Sequence, residues 1–234
     1  MKLIIDNRMR TVEKEYLASF GDLIELPKCE KLYSEIVSHP DIFITKINDK
    51  LICAPCIKDL LESRISNFIV GEKDPSQPYP NDIYYNVCVF GNYAIGNFSY
   101  LDKRVIEIID ETNKTKINVN QGYSNCSCRP INDNALITSD KGIYDECIKN
   151  GIDVLYLETD SIKLLDSNNQ FSNMKGFIGG ATCIIDNTLI LFGSIDFLGN
   201  ENKLKLLSFL DKYNIKIKDF SDFEIIDYGG VQFT

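Results

Sequence analysis

The chain has 234 residues, 44% hydrophobic and 25% charged, enough to bury one sizeable core, and is read as one domain over residues 1–234. A net charge of -9 argues against nucleic-acid binding, which needs clustered Lys and Arg, and mildly favours a cationic small-molecule partner. There is no apolar run of membrane-spanning length and no signal peptide ahead of Asp6, so the expectation is a cytoplasmic protein with no membrane association, its eight cysteines kept as reduced thiols.

The first apolar strand is predicted over residues 2–5 and ends in the turn pair Asp6-Asn7. Thr11 is the expected N-cap of a helix running to Phe20, with Gly21 as its stop. A strand over 22–26 ends at Pro27. A hairpin follows, with strands over 41–47 and 51–54 around the turn Asn48-Asp49-Lys50. Helical spacing of Ile57, Leu60, Leu61 and Ile65 leads into a strand over 68–70. Pro75, Pro78 and Pro80 mark residues 72–82 as a surface loop.

The pattern then recurs. A hairpin over 86–95 turns at Gly91-Asn92, and a helix over 101–109 and a strand over 116–119 follow it. Residues 125–131 and 135–138 form the next hairpin, with a helix over 142–149 and a strand over 153–157. The last complete copy has strands over 181–185 and 188–192, a helix over 201–213 and a strand over 215–218. The chain closes with 223–226, Asp227-Tyr228-Gly229-Gly230 and Val231-Gln232-Phe233. Turns at Asn7, Asn48, Asn92, Asn132 and Asn187 repeat every forty to fifty-five residues, about the period of repeat architectures. The first unit lacks its opening strand and the C-terminus carries a spare one, so pairing the two ends would seal a ring of units and remove open sheet edges.

This pattern, clearest at Ile131-Asn132-Asp133-Asn134-Ala135-Leu136-Ile137 and Ile47-Asn48-Asp49-Lys50-Leu51-Ile52, resembles the pentein fold over nearly the whole chain. The resemblance implies an α/β, five-bladed propeller of strand-strand-helix-strand units. That fold is shared by guanidino-group-modifying enzymes and by the ribosome anti-association factor. More narrowly, the chain resembles an uncharacterised bacterial family of this fold.

Two residues match the enzyme branch. His39 and Asp41, in Ser38-His39-Pro40-Asp41, resemble its His-x-Asp motif, in which the His is the general acid/base and the Asp holds the guanidinium. Two apart on a predicted strand, they would share a face. A carboxylate suits a planar, cationic, multi-donor guanidinium, a thiolate can attack its central carbon, and an imidazole can protonate the departing nitrogen. In the enzymes the cysteine follows a glycine-rich turn of the last unit. Here that turn, Gly229-Gly230-Val231-Gln232-Phe233, has no cysteine. Cys126, after Gly122-Tyr123-Ser124-Asn125, is the preferred nucleophile. Cys88, one unit after His39, is its rival, and Cys183 after Gly179-Gly180 is a third candidate. Small buried cysteines in a tight interior explain the same recurrence without chemistry. Asp82 is a candidate second substrate carboxylate, with a solvated loop residue as the plainer reading.

Cys53-Ala54-Pro55-Cys56 has the setting of a thiol-redox motif, and Cys53, Cys56, Cys126 and Cys128 would be the thiols of a zinc site, but neither spacing is matched by its usual surroundings. No metal and no cofactor are expected. Two functions stay open: a cysteine-dependent hydrolase or transferase acting on a guanidino or amidino compound, and a non-catalytic binding protein on the same fold.

Overall fold

The structure is a computed structural model and describes residues 1–158, 160–165 and 174–234. Its elements are a mixed α/β set, and one three-stranded plan recurs. The middle strand pairs antiparallel with the strand before it and parallel with a strand reached through a helix. The plan is seen in Ile44–Ile47, Lys50–Cys53 and Ile69–Val70, then in Cys88–Phe90, Tyr93–Gly96 and Thr115–Asn118. Cys128–Asn132, Ala135–Thr138 and Asp153–Tyr156 repeat it, as do Thr182–Ile185, Thr188–Leu191 and Lys216–Lys218. The two ends of the chain complete the fifth copy. Lys2–Asp6 pairs parallel with Asp22–Leu26 and antiparallel with Gln232–Phe233, with Leu3 opposite Phe233 and Ile4 opposite Gln232.

Local chemistry explains the repetition. The hairpin turns demand left-handed backbone, and Asn48, Gly91, Asp186 and Asn187 supply it at φ of 55°, 46°, 46° and 58°. At the Asn132 turn the Asn132 side chain accepts from the Asn134 amide at 2.8 Å, and the extra residue lies in the strand, where the pairing shifts register between Ala135 and Leu136. Helices Lys103–Glu111 and Lys141–Lys149 are N-capped by Asp102, accepting from the Arg104 amide, and Asp140, accepting from the Ile143 amide. Just past three of the helices Asn113, Gly151 and Asn214 take the left-handed conformation that ends a helix. Each helix lays an apolar stripe on the sheets. Val105, Ile108 and Ile109 do so in one and Leu206 and Leu210 in another, each worth about 1.5–3 kcal/mol once buried.

Four local expectations are corrected. The predicted strand over 41–47 opens with a helical turn, Pro40–Phe43, and the predicted strand over 125–131 with another, Ser124–Ser127. Pro40 suits a first helical position because its missing N–H is not needed there. The Ser124 hydroxyl donates to the Gln121 carbonyl and so ties down the second turn. His39 and Asp41 therefore do not alternate along a strand. Helix Thr11–Ala18 is preceded by Arg10, which pairs reciprocally with Glu13, so Thr11 is inside the helix and not its cap. Finally, Ile226–Asp227 is a strand paired parallel to Lys163–Leu164, a partner that no local pattern announced.

Candidate active site

Each opening strand is led in by a turn, and the five turns meet. Asn86, before Cys88–Phe90, donates from Nδ2 to the Asp41 carbonyl at 3.2 Å and accepts on Oδ1 from the Asn125 amide at 2.8 Å. The Gly180 amide donates to the Cys126 carbonyl at 3.0 Å, and the Gly180 carbonyl accepts from the Gly230 amide at 2.8 Å. Gly229 closes the cycle. Its φ is +70°, and a Cβ there would lie 2.4 Å from His39 Cβ and 2.8 Å from Asp41 Oδ1. Residues far apart in sequence are thereby held against one another by backbone contacts and by the Asn86 side chain.

At this junction the Cys126 thiol donates to Asp41 Oδ2 at 2.7 Å and accepts from Asn86 Nδ2 at 3.2 Å. Asp41 Oδ1 is buried and has no hydrogen-bond partner among the described residues. Burial, with Asp227 next in effect, pushes the Asp41 carboxyl well above its usual range. Burial, then the Asp41 charge, likewise pushes the Cys126 thiol up. At rest the thiol holds its proton.

His39 stands between two carboxylates. Its Nδ1 is 3.9 Å from Asp227 Oδ1 and its Nε2 is 3.8 Å from Asp6 Oδ2, both beyond hydrogen-bond reach, so both buried imidazole nitrogens have no hydrogen-bond partner among the described residues. Burial holds the imidazole below its usual pKa and the two carboxylates only partly oppose this, so it is neutral at rest. Arg8 engages Asp6 through Nη2 at 2.6 Å and Nε at 3.0 Å, and donates to the backbone carbonyls of Ser34 and Glu35. Asp227 is paired with no lysine or arginine among the described residues. It accepts from the Phe177 and Gly229 amides at 2.8 and 2.9 Å, and burial raises its pKa. Gly180 leaves it room, since a Cβ there would sit 1.8 Å from Asp227 Oδ1.

Cys126, His39 and Asp227 line one cavity of about 530 Å³. Asp41 does not line this cavity; it accepts the hydrogen bond that the Cys126 thiol donates. The other candidates lie elsewhere. Cys88 is buried among Cys128, Leu136 and Cys147. Cys183 is buried among Leu3, Ile5 and Phe192, which pushes its thiol up to about 12. Asp82 is fully buried, not solvated, and its Oδ2 accepts from the Tyr123 hydroxyl at 2.7 Å. Cys53 and Cys56 are both pushed up to about 12, by burial first and, for Cys56, also by Asp74, the reverse of what an activated redox thiol needs. Among the described residues no three His, Cys, Asp or Glu side chains are grouped to hold a metal ion.

Sequence reading missed Asn86, Asp6 and Asp227. The signal for Asp227 was visible: a carboxylate two residues before a Gly-Gly turn in the terminal unit.

A family of unknown function, DUF6873, matches residues 4–232. No curated protein matches the sequence. Among solved structures, the chain is similar to DDAH from Pseudomonas aeruginosa complexed with citrulline, with TM-score 0.55 and 7% identity over 94% of this chain and 91% of that one. It is similar to agmatine deiminase from C. jejuni, with TM-score 0.53 and 12% identity over 94% and 75% of the two chains. It is also similar to the inosamine-phosphate amidinotransferase StrB1 from Streptomyces griseus, with TM-score 0.53 and 11% identity over 94% and 75%. All three are members of the pentein superfamily, and at such identities the likeness establishes the fold alone.

Proposed function

The chain belongs to DUF6873, a family of unknown function, and has the pentein fold; from its central site we propose that it is a cysteine-dependent hydrolase or transferase acting on a guanidino or amidino compound. We read its five units as blades of a closed ring, the site lying at the centre. The observation that carries the proposal is the shared cavity: a thiol, an imidazole whose nitrogens have no hydrogen-bond partner among the described residues, and the Asp227 carboxylate all face it.

In this reading Asp227 accepts the N–H donors of a bound guanidinium. The cation offsets the negative charge that keeps the Cys126 thiol protonated. His39 takes the thiol proton and becomes an imidazolium between Asp227 and Asp6. The Cys126 Sγ bonds to the central carbon, and the bond from that carbon to the leaving nitrogen breaks as His39 hands the same proton to it. An amine departs and an amidino-thioether cation remains on Cys126. Water then attacks the amidino carbon as His39 takes one of its protons, the C–S bond breaks to release a urea-type product and restore the thiol, and the remaining proton passes from His39 to solvent; attack by an amine instead yields a new guanidinium compound and the thiol. Asp41 positions the thiol, a role different from the guanidinium ligand that its motif resemblance implies. Asp82 orients Tyr123 from behind the cavity wall, and Cys88 takes no part.

The test compares 2-chloroacetamidine with 2-chloroacetamide, followed by intact mass and peptide mapping, beside a guanidine panel assayed for released urea, ammonia or amine. A single adduct at Cys126, formed faster by the cationic reagent, with turnover lost in C126S and H39Q, is the expected result. Adducts spread over several cysteines, or a faster neutral reagent, would overturn it. Selective labelling without any turnover would favour the binding-protein alternative, to which the protonated resting thiol also points.

A further inference from the structure

The cavity is larger than a guanidinium group requires, and its outer wall has a different chemistry. Phe177, Tyr123 and Tyr79 line it in a row, with ring centroids 6.5 Å apart for the first pair and 5.8 Å for the second. The wall is fixed in place. The Tyr123 hydroxyl donates to Asp82 and its amide to Gln121 Oε1 at 3.0 Å, and a Cβ on Gly122 would lie 2.7 Å from the Tyr79 hydroxyl oxygen. Ile36 and Leu164 add apolar surface.

The charged residues on the wall restrict what enters. Glu35 is 4% exposed; its Oε2 accepts from the Ser34 hydroxyl at 3.0 Å, and its Oε1 has no hydrogen-bond partner among the described residues. Lys175 is the only lysine or arginine among the described lining residues, and it is half exposed and paired on the solvent side with the exposed Asp160, away from the buried Glu35. Aromatic faces attract cations and apolar groups. A carboxylate brought here would lose its hydration and face Glu35 and Asp227.

Resting on the guanidino or amidino reading above, we infer that the site takes N-substituted guanidinium or amidinium compounds whose substituent is an apolar arm without a carboxylate. Phe177 and Tyr123 hold the arm, and Glu35 excludes acidic tails.

The matched pair butylguanidine and 5-guanidinopentanoate tests this, since the two differ only in the carboxylate. Calorimetric titration of the C126S protein, with benzylguanidine and guanidinium itself alongside, gives the affinities. Protection of Cys126 from iodoacetamide gives the same ranking in the unmodified protein. Butylguanidine and benzylguanidine are expected to bind at least about tenfold more tightly than 5-guanidinopentanoate. Phe177→Ala should weaken benzylguanidine by about tenfold, and Glu35→Gln should narrow the gap within the pair. Equal or tighter binding of 5-guanidinopentanoate overturns this inference alone. Failure of every guanidine, guanidinium included, overturns the underlying reading as well.

Discussion

Asp41→Asn should make this protein more stable and less able to control its thiol. Asp41 is 1% exposed, one carboxylate oxygen has no partner and the other meets only the Cys126 thiol. Arg129, a cation that partly offsets the Asp41 charge, already donates to the Gly179 carbonyl and to both oxygens of Thr182. Asparagine has nearly the same shape and removes the charge. Deleting an unsatisfied buried charge is worth about 1–3 kcal/mol, and in a chain of this size each 1 kcal/mol shifts Tm by about 2–4 °C. Because burial raises the folded-state pKa, the folded protein holds the Asp41 proton more tightly than the unfolded chain does. The cost of its charge is therefore full above the folded-state pKa, shrinks as pH falls through it, and is gone below the ordinary carboxylate value. Urea melts of wild type and variant at pH 7.5 and pH 5 should thus show a gain that narrows in acid. Losing the Asp41 charge should also lower the Cys126 pKa and speed its alkylation by iodoacetamide at neutral pH. A variant that is less stable than wild type at pH 7.5, or a gain that grows in acid, would refute the argument that a costly charge is held at the thiol.

Three further outcomes are expected. Gly229→Ala should destabilise by at least about 1–2 kcal/mol from its left-handed backbone alone, and should also displace His39, whose Cβ is in the way; melts and Cys126 labelling read the two effects. His39 has a folded-state pKa below the ordinary value, so the unfolded chain binds a proton that the fold refuses. Wild type should lose stability relative to His39→Gln as pH falls below about 6.5, by at most about 1.4 kcal/mol per pH unit, and parallel pH profiles would exclude this. Tyr123→Phe removes the hydroxyl donor to buried Asp82, whose Oδ1 has no partner, and should cost about 1–3 kcal/mol in a urea melt.

The repeat was legible because its punctuation is local. An asparagine or glycine in left-handed backbone, seen in three of the hairpin turns, and an aspartate cap, seen on two of the helices, are each written within a few residues. His39, Asp41 and Cys126 were found through a short motif and a glycine-led loop. Two kinds of feature were not legible. The lead-ins Pro40–Phe43 and Ser124–Ser127 read as strands because Ile42, Phe43 and Cys126 suit either conformation, and the weak local signals for a helical turn, Pro40 at its first position and the Ser124 hydroxyl on the Gln121 carbonyl, were outweighed by the apolar run. Asp227 and Asn86 act on groups 188 and 40 residues away in sequence, His39 and Cys126. Spacing along a chain does not show which turns converge. The short strand Lys163–Leu164 was missed for the same reason, since its partner Ile226–Asp227 lies about sixty residues further along the chain.

The placement of the thiol follows from the same repetition. In the enzymes that this chain resembles the nucleophile follows the glycine turn of the last unit, and here that turn carries Asp227 and two glycines instead. If the units form a ring, every lead-in turn is about equally close to the centre, and a thiol on any of them reaches the same point. What a relocated thiol needs is a gap opposite it and an acid/base group beside the same cavity. Gly229 and Gly180 leave the space that side chains would fill against His39, Asp41 and Asp227, and His39 borders the cavity that Cys126 lines. In this proposal the glycine turn has ceased to carry the nucleophile and has become the floor on which its partners fit. A Gly180→Ala protein, with a methyl 1.8 Å from Asp227 Oδ1, should therefore lose guanidinium binding and selective amidine labelling even where circular dichroism shows the fold retained. Retained binding with a full-length fold would mean that Asp227 is not the carboxylate that receives the cation.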